Sequence, residues 1–98
     1  MKASFKKAIS DALVAHRDQF ATMEHERWAH WQSYLHSKCV RQSDGSLVIP
    51  AALVERWERQ IHTEFDELSK EEQSSDLEQV DKFLALVEAI LADEANRA

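Results

Sequence analysis

The densest chemistry in the chain lies in "MEHERWAHWQSYLHSKC", residues 23–39. It holds three histidines, two tryptophans, a tyrosine, two glutamates and the single cysteine. Metal binding is the first chemistry to test. His25-Glu26 and His30 suggest the H-E-x-x-H zinc motif, in which two histidines four apart share one helix face. Here they sit five apart, which on a helix turns them roughly 140° away from each other. The E-x-x-H pattern of di-iron bundles is also missing: Leu13, Thr22, Arg27, Ser33 and Arg59 stand three residues before the five histidines. Pairs such as Glu26/His30 and Glu58/His62 could hold only a weak surface ion. No metal site and no cofactor is expected.

Nucleophilic catalysis is the second. Cys39 and His36 are i,i+3 neighbours on a helix, but a catalytic thiol also needs a lowered pKa and oxyanion donors. No glycine-shaped oxyanion turn accompanies them. Glycine occurs once, at Gly45, so the glycine-rich phosphate loops of nucleotide enzymes are absent too. An enzyme built on the His-rich helix is the weakest reading, and the chain is read as non-enzymatic.

Binding remains. Trp28, Trp31 and Leu35 fall on neighbouring turns of one face with Tyr34 beside them, and Trp57 lies between Arg56 and Arg59. Aromatic faces beside arginines can stack a purine or hold an anionic ring. The same residues can also fill a small core, where each indole buries a large area. A mixture, with Trp31 and Trp57 inside and Trp28 or Tyr34 at a rim, is a third arrangement. The ligand-binding candidates are His25, Trp28, Tyr34, Trp57 and Arg59.

Helices must position these residues. The 98-residue chain, one glycine and one proline included, suits a single domain over 1–98. It lacks the turn residues that a β-sandwich or barrel demands. The expected fold is all-α: a small bundle of three to four helices with one short extended segment near residues 46–49. Phe5, Ile9, Leu13, Phe20, Met23, Trp31 and Leu35 trace a helical stripe. These residues leave open whether the stripe is one helix or two: the polar run His16–Gln19 is the favoured break, where Asp18 could cap a new start, and one long helix bent there is the preferred reading. Asp44-Gly45 signals a turn. Ser46–Ile49 reads as an extended clip laid over the helices, preferred to a hairpin because no second strand is evident.

Pro50 suits a helix start, and Leu53, Trp57 and Ile61 predict a helix over 51–62. Residues 62–68 form a connector that Phe65 and Leu68 should anchor in the core. Ser69-Lys70-Glu71-Glu72 is a capping box, opening a C-terminal helix with Leu77, Val80, Leu84, Val87 and Leu91 at gaps of 3, 4, 3 and 4. Phe83, Leu86 and Ile90 widen the stripe beyond what one seam needs. The surplus can bury against the other helices or partly against another subunit; the expected state is a homo-oligomer, a dimer formed through this helix.

Charge is uneven. Residues 1–41 carry seven Lys/Arg and four Asp/Glu, for +3; residues 42–98 carry five and fourteen, for −9. An overall charge of −6 argues against a general nucleic-acid binder. No apolar run reaches the roughly 20 residues of a membrane span. With no secretion signal and one cysteine, a reduced, cytoplasmic setting is expected.

"EHERW" (24–28) and "TEFDELSKEEQSSDLEQVDKFL" (63–84) together resemble the ryanodine-receptor repeat (RyR) domain, over about residues 22–84. His25 and Trp28 match its H-x-x-W, and Phe65, Leu68, Ser69, Glu72 and Asp76 match its later block. Glu64, Phe65, Gln73 and Leu77 stand where the family has proline, tyrosine, lysine and arginine, and its Gly-Trp is missing. The chain also resembles small phage and prophage proteins that carry an E-R-W-x-R-Q segment, here Glu55–Gln60. The resemblance implies a small helical module. It further implies an accessory protein of a phage or mobile element that binds a host protein, or a module sensing or sequestering a nucleotide-like ligand. His25, Trp28 and Phe65 would line its pocket or knit its helices together. Loss of lysine and arginine at 73 and 77 argues against a phosphate.

Overall fold

The computed structural model describes residues 3–97. The chain is all-α, with four helices and one two-stranded antiparallel hairpin among the described residues. Helix α1 is Ala3–Ala15 and α2 is Arg17–Lys38. Strands β1, Val40–Arg41, and β2, Leu47–Val48, follow. Helix α3 is Ala51–Ile61, a 3-10 turn spans Phe65–Glu67, and α4 is Lys70–Arg97. None of these helices is long and apolar enough to cross a membrane.

The chain divides into two compact units, Met1–Arg27 with Leu77–Ala98, and Trp28–Asp76. In the first unit, α1 and α2 meet at His16. Its N–H is shared between the Ala12 and Leu13 carbonyls, 3.2 Å from each, and its ring Nδ1 lies 2.8 Å from the Ala12 carbonyl oxygen. This side chain competes for a helical acceptor, and the regular ladder is interrupted for one residue. Two helices therefore stand where one bent helix was expected. Asp18 lies in the first turn of α2 rather than before it, and its carbonyl accepts the Thr22 hydroxyl at 3.0 Å. Ile9, Leu13, Phe20 and Met23 are half-buried, as the stripe predicts, but Phe5 is 54% exposed.

Ile90 on α4, 1% exposed, is the largest fully buried side chain among the described residues, and Ala12 on α1 is the other buried apolar one. A helix cannot seal its own side chain to that degree, so described residues of the segments 3–27 and 77–96 cover one another here.

The second unit corrects the clip. Val40 pairs with Val48 and Arg41 with Leu47, so Ser46–Ile49 belongs to a hairpin. Its first strand begins two residues after α2 ends, too close to a helix for alternation to reveal it. The turn is built by Asp44, whose Oδ1 accepts the Ser46 N–H (2.9 Å) and hydroxyl (2.6 Å). These two donors, the hydroxyl first, hold the Asp44 carboxyl below its usual range. Gly45 takes φ +90, a region that glycine enters without steric cost.

Pro50 sits just before α3, and its carbonyl receives the Leu53 and Val54 N–H groups. Leu53 and Trp57 are half-buried along α3, but Ile61 is 70% exposed, because Gln60 takes the inward position at the helix end. The connector is fastened through its backbone instead of the Phe65 ring, which is 46% exposed: Gln73 Nε2 donates to the Phe65 (3.0 Å) and Leu68 (3.2 Å) carbonyls.

Candidate functional site

The second unit gathers an aromatic cluster. Trp31 and Tyr34 lie one turn apart on α2, and Trp57 comes from α3. The Trp31 and Tyr34 rings meet edge to face, centroids 6.2 Å apart at 89°, and Tyr34 meets Trp57 at 6.5 Å and 58°. His30 stands against Trp31 at 4.8 Å and 75°. Lys38 Nζ lies 5.5 Å from the Tyr34 centroid, within the range of a cation–π contact. Trp31, Tyr34 and Trp57 are all half-buried. Edge-to-face rings at these separations are the usual packing of a small core. They tie the long helix to the short one across the hairpin.

Of the five ligand-binding candidates, this cluster brings together Tyr34 and Trp57. His25 and Trp28 lie three residues apart on α2, both exposed, Trp28 at 57%. Arg59 follows Trp57 by two residues and turns towards the start of α4, where its guanidinium lies 3.5 Å from the Glu72 carboxylate and stays largely exposed. Glu72 is nearly buried. It accepts the Ser69 N–H at 3.1 Å, while Ser69 Oγ accepts the Glu72 N–H at 3.2 Å. Both bonds of the capping box are therefore made. The Ser69 backbone N–H, then the Ser69 hydroxyl, hold the Glu72 carboxyl below the usual glutamate range, and Arg59 and Arg56 add to the effect.

Glu58 and His62 meet at 3.7 Å, as their i,i+4 spacing allows. No group of three or more His, Cys, Asp or Glu among the described residues is placed to hold a metal ion. Cys39 is a free, half-buried thiol.

A second candidate surface lies on α4 within the first unit. The wide apolar stripe is split lengthwise. Gln79, Phe83, Leu86 and Ile90 form a buried or half-buried row at gaps of 4, 3 and 4. Beside it, Leu77 (48% exposed), Val80 (46%), Leu84 (51%) and Leu91 (41%) form an open row at gaps of 3, 4 and 7, with half-buried Val87 in its vacant position. Leu77, Leu84 and Leu91 occupy the a positions and Val80 and Val87 the d positions of a heptad seam. Sequence periodicity found the stripe; only the fold shows which half the chain uses for itself.

No family model, curated protein or solved structure matches the chain.

Proposed function

We propose that the protein acts without catalysis, by binding another protein chain along the open row of α4, and that in isolation it pairs with a second copy there. The carrying observation is the regular spacing of four half-open apolar side chains, Leu77, Val80, Leu84 and Leu91, on one helix face. Scattered exposed apolar residues are ordinary, whereas a contiguous row is the mark of an interaction surface.

Service to a phage or other mobile element, with a host protein as the eventual partner, belongs to the same proposal and rests on the resemblance. Light scattering of Leu84→Gln against the parent chain tests the seam: the parent scatters as a dimer and the variant as a monomer. Two chains of equal, monomeric mass would refute it.

A second reading, a nucleotide-like ligand on the Tyr34–Trp57 pair, is favoured by those two half-buried rings meeting beside Arg59. The pairing of Arg59 with Glu72 counts against it, since a carboxylate already engages the guanidinium. A nucleotide panel in thermal shift decides: a ligand that binds the native state raises the melting temperature as its concentration passes its Kd. No shift at millimolar ligand would remove this reading.

A further inference from the structure

Asp81 and Glu88 stand seven residues apart on α4, both exposed and neither in an ion pair with another described residue. In the heptad of the open row both are e positions, bordering the seam on one side. Charged residues at e and g choose the partner of a helix pair. If two copies of α4 pair antiparallel, Asp81 faces the second copy's Glu88, twice over. If they pair in parallel, Asp81 faces the second copy's Asp76, at g. Either way carboxylate meets carboxylate. The only lysine or arginine between Leu77 and Asn96 is Lys82, at the f position on the opposite side of the helix, where it relieves neither arrangement.

The row is thus apolar enough to hold a helix but bordered so as to penalise its own copy. Like charges placed against the wrong partner are a recognised source of specificity. We propose that the open row of α4 receives a cationic amphipathic helix of a different protein, which displaces the self-paired dimer. Lysines or arginines at the positions facing Asp81 and Glu88 turn two repulsions into two attractions, while aliphatic residues fill the same row. This inference rests on reading the open row as a docking face.

Two designed helical peptides test it. Both carry leucine and valine at their a and d positions; one has lysine at e and g, the other glutamate. Binding of each to the full chain is followed by fluorescence anisotropy at low and at high salt. The lysine peptide is expected to bind at least about tenfold more tightly at low salt, with the gap narrowing as salt screens the charges. Leu84→Gln should weaken both peptides. Asp81→Asn with Glu88→Gln should bring the two affinities together. Equal affinities in the parent chain, or discrimination that survives the double variant, would overturn the inference. A chain that scatters as a dimer yet ignores both peptides leaves self-pairing standing and overturns this proposal alone. A monomeric chain that ignores both overturns the docking face itself.

Discussion

At the residue scale, the start of α4 concentrates the specific polar contacts. Ser69 and Glu72 exchange two hydrogen bonds, and Arg59 adds charge to the same carboxylate. Removing the cap with Ser69→Ala should cost about 1 kcal/mol, read as a lower denaturant midpoint at unchanged slope. The pH response has a definite sign. The folded carboxyl of Glu72 ionises at lower pH than it would in the unfolded chain. Its contribution to stability is complete above the unfolded glutamate value of about 4.3 and is lost as the pH falls below it, through the folded value. Glu72→Gln should therefore be less stable than the parent at neutral pH, and the gap should close on acidification. A gap that stayed constant with pH would place the effect in packing rather than charge. The capping box was legible in four letters because both partners lie within one turn. The role of Gln73, which pins the connector by its amide, was not: that bond spans eight residues and depends on the 3-10 turn between them.

At the element scale, local signals and tertiary outcomes part company. Helix α3 was readable from Pro50 and the spacing of Leu53 and Trp57. The hairpin was half readable: Asp44-Gly45 announces its turn, but two-residue strands are too short to alternate. The place of the break at His16 was legible in the polar run His16–Gln19, whereas the choice between one bent helix and two was not, because it turns on a ring-to-carbonyl contact of 2.8 Å. Gly45→Ala tests the turn. Nothing lies within 4 Å of where its Cβ would sit, so the cost is conformational, about 1 kcal/mol. A neutral result in thermal unfolding would mean that the turn tolerates another φ. Ile90→Ala tests the covered row of α4 and should lose about 2–5 kcal/mol, as deleting a fully buried aliphatic side chain does.

At the scale of the whole molecule, the chain buries little of its apolar material. Phe5 and Val14 on α1, Trp28 on α2, Val40, Val48 and Ile49 around the hairpin, and the open row of α4 are all at least 40% exposed. A short chain has too small an interior to shelter every apolar side chain, and the proposed partner would supply the missing cover. That much could be guessed from a stripe wider than one seam. Which side chains it would leave open could not, because the choice depends on how segments distant in sequence pack. The candidate binding residues show the same limit. The Tyr34–Trp57 meeting needs α2 and α3 to fold back across the hairpin, and the sequence lists the residues without showing that return.

The most direct measurement is the mass of the purified chain by static light scattering across a micromolar dilution series, at salt high enough to screen Asp81 and Glu88. Self-pairing along α4 predicts twice 11.3 kDa at the upper end, falling towards a single chain on dilution, and a single chain throughout for Leu84→Gln. A mass of 11.3 kDa for the parent at every concentration and salt would contradict it.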